Sequence, residues 1–153
     1  MRSALVVTVA SLLVAGCIKQ APPSLADQTS GPASVPGELG TPWTFTILNE
    51  QRKVIGSLKV RFTDEKALSC ISGEWKRLTV LSFESSGEPA FPGRDPLSYA
   101  LDGHTLTIGR NEICDAYVML KGDVTSVGMT GDYFSLGLGG THQLGYVQGT
   151  PNK

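Results

Sequence analysis

The chain has 153 residues, with 13 lysines and arginines against 14 aspartates and glutamates, and its formal net charge is −1. This length suits one domain, and the balanced charge, without a run of Lys or Arg, excludes the basic surface that nucleic-acid binding needs. Hydrophobic residues make up 41% and charged residues only 18%, and there are 18 glycines. This composition argues against disorder over most of the chain and favours an all-β domain.

The first seventeen residues fall into a charged start, an apolar run and a cysteine. Residues 1–3, Met-Arg-Ser, carry the positive charge, and only Thr8 and Ser11 interrupt the apolar run at residues 4–14. The run is too short to cross a bilayer as a helix, which needs about 20 apolar residues, but it has the length of a secretory signal. It leads into Leu-Val-Ala-Gly and then Cys17, so small residues stand directly before the thiol.

This order resembles the lipobox signal of bacterial lipoproteins, and the resemblance covers residues 1–17. It implies cleavage before Cys17, a diacylglyceryl thioether on its sulfur and an acylated amino terminus; the alternative is an ordinary secretory signal with an incidental cysteine. Position 18 is isoleucine, whereas an aspartate there retains such lipoproteins of Gram-negative bacteria at the inner membrane. For a Gram-negative source, the resemblance therefore implies a lipid anchor in the outer membrane, with the protein facing the periplasm.

Residues 17–41 are predicted to be the lipidated cysteine and a tether. The segment contains four prolines, three glycines, no aromatic residue and no hydrophobic period. Such a composition buries too little apolar surface to offset chain entropy. We expect a flexible, partly polyproline II spacer, with a short segment packed on the domain as the alternative. Residues 42–153 are assigned to a single β domain.

In this domain, apolar and polar residues alternate as they do in half-buried β-strands. Leu58, Val60 and Phe62, for example, share one face of a predicted strand. Turn residues separate the segments, which predicts a small antiparallel barrel or sandwich with a meander-like strand order. One helical turn is considered at residues 64–68. Strands are predicted at residues 43–48, 54–63, 77–83, 97–101, 105–108, 113–121, 126–138 and 141–148.

One hairpin has a particularly strong turn signal. Asp102-Gly103 is typical of a two-residue type I′ turn, in which both central residues have a positive φ. The apolar residues then match across the two strands, which supports the register. The predicted pairs are Tyr99 with Leu106, Ala100 with Thr105, and Leu101 with His104.

Gly73-Glu74-Trp75 has the G-x-W form found at the first strand of lipocalins. About eighty residues follow it, which is too few for a full eight-stranded lipocalin with its loops. The likeness therefore concerns shape alone.

Three cysteines minus the lipidated Cys17 leave Cys70 and Cys114. An export signal with an even remaining pair predicts one disulfide, and closing its loop contributes roughly 4 kcal/mol in the chain-entropy model. Strand alternation puts Cys114 beside Leu120 on the inner face. The alternative, a reactive or metal-binding pair, lacks a CxxC motif and a neighbouring histidine.

The sequence offers little catalytic chemistry. It contains no GxSxG, SxxK, HExxH, P-loop or EF-hand pattern, and we expect no cofactor and no metal. The two histidines, His104 and His142, fall near predicted hairpin turns, where they are more typical of strand ends than of a catalytic pair. We therefore expect a protein that is not an enzyme.

The thirteen residues that end at Pro96 form a loop longer than most hairpin loops. Pro89 and Pro92 restrict its backbone, so it loses less entropy on docking. Phe91 lies between them and Arg94 lies close by, a composition typical of a partner-binding hot spot. The alternative is that Phe91 folds back and plugs one end of the barrel.

These features predict an outer-membrane-anchored periplasmic lipoprotein that binds a protein or a small envelope ligand. An inhibitor or immunity protein for an envelope hydrolase is the sharper version of this hypothesis. The alternatives are a structural or assembly accessory of an envelope complex, and a hydrolase that uses His104 or His142 with carboxylates. Nucleic acid is not an expected partner.

Overall fold

The computed structural model describes residues 40–86, 91–110, 114 and 117–152. These residues form eight β-strands, each antiparallel to the next in the sequence, and the last strand pairs with the first to close a barrel. The predicted all-β fold is confirmed, and its form is the barrel. The strands are β1 (Pro42–Asn49), β2 (Val54–Lys66), β3 (Lys76–Ser85), β4 (Leu97–Asp102), β5 (Thr105–Arg110), β6 (Tyr117–Val124), β7 (Met129–Gly137) and β8 (Gly140–Pro151).

Some predicted features lie outside the described residues. These are the signal with its Cys17, the tether as far as residue 39, and Pro89 in the long loop. Gly73-Glu74-Trp75 precedes β3, the third strand of the barrel.

Strand alternation places the apolar side chains inside the barrel. Trp43 and Phe45 of β1 and Phe62 of β2 are buried there together, and the Phe62 and Tyr99 rings meet edge to face at 4.9 Å between centroids, an arrangement that ring quadrupoles favour. Eight strands enclose a space that side chains just fill. The interior cluster comprises Trp43, Phe45, Ile47, Ile55, Leu58, Val60, Phe62, Leu78, Phe91, Leu97, Tyr99, Leu106, Ile108, Leu120, Val124, Met129, Tyr133 and Val147.

The β4–β5 hairpin has the predicted faces but a different register. Tyr99 pairs with Ile108 instead of Leu106, and the two-residue turn is Gly103-His104, one residue later than predicted. Only Gly103 of these two has a positive φ, at 58°, which is the type II′ pattern with glycine at the first central position. The register changes by two residues, so every side chain keeps its face and both Tyr99 and Leu106 remain buried.

The other two predicted pairs of this hairpin are shifted by the same two residues. Ala100 pairs with Thr107 and Leu101 pairs with Leu106.

The helical turn considered at residues 64–68 does not form. β2 continues to Lys66, which pairs with Lys76 of β3. An exposed ion pair between Lys76 Nζ and Asp64 Oδ1, 2.7 Å apart, joins the two strands at this end of the barrel. Cross-strand contacts thus keep these residues extended.

The predicted disulfide between Cys70 and Cys114 is present, with 5.4 Å between the Cα atoms. Both cysteines are exposed, so the expectation that Cys114 lies on the inner face is wrong. The reason is that Cys114 itself lies in no strand and is exposed, so the alternation that turns Leu120 of β6 inward does not apply to it. The bridge therefore joins the β2–β3 loop to the segment before β6 on the outside of the barrel.

Two large apolar side chains are buried outside the interior cluster. Trp75 is 6% exposed and Met119 is 4% exposed, yet neither belongs to the interior cluster. Trp75 is covered by the β2–β3 loop, where its indole Nε1 donates a hydrogen bond to the Ser72 carbonyl at 3.3 Å. Met119 follows strand alternation outward from Leu120 and packs over Gly109 of β5. The disulfide thus staples a loop that shields apolar surface on the outer wall.

Candidate functional site

The ladder between β3 and β4 is the shortest among the described strand pairs of the barrel. β3 has ten residues and β4 has six, and the two strands pair only at Lys76 with Tyr99 and at Arg77 with Ser98. From residue 78 to 84, the described chain gives β3 a strand partner on the β2 side alone. We call this uncovered edge of β3 the β3–β4 seam.

The long loop after β3 fills the barrel interior behind the seam. Phe91 is only 3% exposed and belongs to the interior cluster. Its ring centroid lies 6.5 Å from that of Phe83 and 6.2 Å from that of Tyr133. Because β4 and β5 have six residues each, they leave interior space that this ring occupies.

The residues of the predicted hot spot therefore differ in how far they are exposed. Phe91 takes the position that the plug alternative assigns to it, and its ring does not face solvent. Pro92 is half-buried and Arg94 is exposed. Of this set, Arg94 alone presents a well-exposed side chain among the residues that the structure describes.

A cleft of about 590 Å³ lies along the seam. Leu78, Val80 and Phe83 of β3 form its apolar floor, and the loop before β4 forms its opposite wall. A Cβ at Gly93 would collide with the Phe83 ring, so glycine at this position lets the loop lie directly against that ring. The lining residues are Leu78, Val80, Phe83, Gly93, Arg94, Asp95, Pro96 and Leu97.

The rim of the cleft has a positive character. Asp95 is neutralised by Arg110, whose Nη1 lies 3.2 Å from Asp95 Oδ2. Arg94 has no acidic partner among the described residues and is exposed. On the neighbouring strand β2, Lys59 and Arg61 are exposed and pair in register with β3. The cleft therefore combines an apolar floor with cations at its edge, and Glu84 lies beyond it in an adjoining pocket of about 570 Å³.

The titratable groups whose pKa values are shifted lie at the opposite end of β3. Burial raises the pKa of the Tyr99 phenol, whose hydroxyl donates to the Thr63 carbonyl at 2.8 Å. The hydrogen bond to Asp64 raises the pKa of Lys76. Both shifts move values that are already near or above 10 further upward, so at neutral pH the phenol stays protonated and the ammonium stays charged.

The two histidines lie apart from the cleft. His104 is exposed in the β4–β5 turn, and His142 is exposed on β8. No group of three or more His, Cys, Asp or Glu side chains within residues 40–86, 91–110, 114 and 117–152 is placed to hold a metal ion. The described lining of the cleft contains neither histidine nor cysteine.

Comparisons with protein-family models, with curated proteins and with solved structures find no match to this chain. Within the described ranges, no helix is long and apolar enough to cross a membrane.

Sequence reasoning missed the cleft because its floor has the pattern of an ordinary strand. Leu78 and Val80 look like inward-facing residues, and they are. Phe83 is out of phase with them and faces inward only because β3 carries an extra residue at Leu81. The available signal was the difference in length between the third and fourth predicted strands, seven residues against five. Unequal neighbours in a meander leave part of the longer strand without a partner.

Proposed function

We propose that this protein is a binding protein of the bacterial envelope, anchored in the outer membrane by lipid on Cys17, and that it binds a partner protein at the β3–β4 seam. The observation that carries the proposal is the seam itself. Among the described residues, a strand edge without a partner, an apolar cleft and an Arg94 without an acidic partner occur together on one side of the barrel.

The filled interior supports a partner protein over a small ligand held inside the barrel. Eight-stranded barrels either pack side chains in their interior or leave room for one small ligand, and here aromatic side chains occupy the interior. Exposed strand edges and apolar surface are the features that soluble proteins ordinarily protect. Their retention at the seam favours recognition of another polypeptide.

The direction of the chain determines where the seam would lie relative to an anchor. The described chain enters the barrel at Pro42, and the β2–β3 loop lies at the same end. The loop between β3 and β4 lies at the other end because adjacent strands are antiparallel. A tether attached before Pro42 would thus leave the far part of the seam pointing away from the membrane.

The anchor is tested by Cys17→Ser. Because the thiol is the acceptor for the diacylglyceryl group, the variant should stay an unprocessed precursor that retains residues 1–16. Intact-mass spectrometry of membrane fractions should find protein that begins at a triacylated Cys17 in the wild type alone. Identical processing of both proteins would contradict the anchor.

The binding site is tested by placing a photoreactive benzoylphenylalanine at single positions in cells. Position 81 lies on β3 and position 94 on the rim of the cleft, and both are exposed. Position 121, which is exposed on β6, is the matched control. We expect one partner adduct of the same partner mass from positions 81 and 94 and none from position 121. Adducts that form equally at all three positions, or at none, would contradict a partner at the seam.

A further inference from the structure

We infer that the β3 edge takes its partner as an added β-strand, and that the partner segment alternates bulky apolar residues with acidic ones. This inference rests on the proposed binding function of the same seam, and it specifies the chemistry of the partner and the way it binds.

The backbone of β3 provides the first argument. Between residues 78 and 84, the described chain offers a ladder partner only on the β2 side, so one row of N–H and C=O groups has no strand beside it. Two amides of the nearby loop bond within the loop instead of to β3. Gly93 N–H donates to the Phe91 carbonyl at 2.8 Å, and Asp95 N–H donates to the Pro92 carbonyl at 3.1 Å. Of the features that normally protect an edge, this stretch has the extra residue at Leu81 and the charge of Glu84, but neither proline nor lysine.

The length of the edge limits the added strand. β3 carries an extra residue at Leu81, since Val80 pairs with Val60 and Ser82 pairs with Lys59. A bulge of this kind bends a strand and re-aims its side chains, and Leu81 is accordingly exposed. The added strand is therefore short, about three or four residues on one side of the bulge, which lies at the lower end of strand lengths in proteins.

The side chains around the edge select the sequence of the partner. Successive residues of a strand point to opposite faces, so every second residue of an added strand would turn toward the apolar floor, which is Leu78 and Val80 on one side of the bulge and Phe83 on the other. The remaining residues would face outward, as the exposed Glu84 of β3 does, toward the side that carries Lys59 and Arg61 on the next strand, with Arg94 on the rim of the cleft. These are three cations against one carboxylate. Bulky apolar residues suit the first set of positions and carboxylates suit the second, because opposite charges on one face of a sheet attract.

The same charges disfavour a second copy of this chain as the occupant. Pairing two β3 edges would bring the two rims together, each with Lys59, Arg61 and Arg94 against Glu84, and net charges of the same sign repel across distances within a Debye length. An acidic segment of a different protein is therefore the occupant to which this inference commits.

The probe is the fluorescent peptide Thr-Glu-Val-Glu-Leu-Glu-Val-Thr, titrated by anisotropy against the purified full-length lipoprotein in detergent. A second peptide has lysine in place of each glutamate, and a third has proline in place of the central leucine. We expect saturable binding of the acidic peptide, and affinities at least tenfold lower for the lysine and proline peptides.

The protein variants are Arg94→Glu and the matched control Lys121→Glu on β6. Arg94→Glu should weaken the acidic peptide at least tenfold and should gain binding of the lysine peptide, whereas Lys121→Glu should leave both affinities unchanged. Both side chains are exposed, so neither variant disturbs the core. Equal effects of the two substitutions would show only general charge attraction and would overturn the inference.

Hydrogen exchange followed by NMR supplies the backbone readout. Alternate amides between residues 78 and 84 should exchange fast in the free protein and slowly in the complex. Peptide binding without this protection, or protection that arises from concentration-dependent dimers, would overturn strand addition. Partner adducts at positions 81 and 94 that persist while no acidic peptide binds would leave the proposed binding function standing and remove this inference alone.

Discussion

Phe91 illustrates how one side chain can complete a barrel whose strands differ in length. The ring reaches from the long loop to Phe83 on one wall and Tyr133 on the other. Sequence alone could not assign this position, because an aromatic residue between prolines fits a docking loop and a buried plug equally well. The ring is buried because the short strands β4 and β5 leave space for it inside the barrel.

Phe91→Ala should therefore lower stability strongly. Removing a fully buried phenylalanine ring costs roughly 3–5 kcal/mol, which corresponds to a fall in Tm of more than about 10 °C for a domain of this size. Arg94→Ala in the same loop is the control, since Arg94 is exposed and its truncation should leave Tm nearly unchanged. Differential scanning calorimetry measures the Tm of both variants. Similar Tm values would mean that burial of the Phe91 ring does not stabilise the barrel.

At the scale of strands, hydrophobic alternation was sufficient to find all eight elements of the barrel. Alternation fixes which face of a strand is buried, but it does not distinguish registers that differ by two residues. Gly103 can occupy either central position of a two-residue turn. The predicted β4–β5 pairing therefore differs from the observed one by two residues. Cys114 was misplaced for a related reason, since alternation gives no information beyond the end of a strand.

The candidate site was less predictable than the strands that form it. The exposure of Arg94 agrees with its place in a polar loop. The cleft, in contrast, depends on which part of β3 lacks a neighbour, and that follows from the pairing of β4 at Lys76 and Arg77 alone. Such a gap is a property of two strands together, so the pattern of either strand by itself does not reveal it.

The disulfide-linked β2–β3 loop should act as a cover for Trp75. In the double variant Cys70→Ala/Cys114→Ala, we expect a loss of stability of up to about 4 kcal/mol from the freed loop, together with a red shift of tryptophan emission as the indole gains water. Trp43 lies inside the barrel and should not contribute to the shift.

Adding Trp75→Phe to the cysteine variant tests the assignment, because it should remove the red shift and leave the emission of Trp43. An emission maximum that is the same with and without the two cysteines would show that the loop stays closed without the bridge.

For the whole molecule, closure of the barrel brings the two ends of the described chain together. β8 pairs with β1 along most of its length, and the Asn152 N–H donates to the Pro42 carbonyl at 2.8 Å. Thr44 Oγ1 adds a hydrogen bond to Asn152 Oδ1 at 3.1 Å. Closure thus removes the edge that β1 and β8 would otherwise expose between Gly145 and Pro151.

The entry of the chain at Pro42 also determines how the molecule would carry tension between an anchor and a bound partner. A pull on Pro42 acts along β1, which is paired with β2 on one side and β8 on the other. Because this load is parallel to the strands, both ladders resist it together, and it passes through β2 to reach a partner held at β3. A pull across the β3–β4 seam would instead meet only the pairs at Lys76 and Arg77. The barrel should therefore be mechanically stiff along the line from tether to partner and weak across the seam.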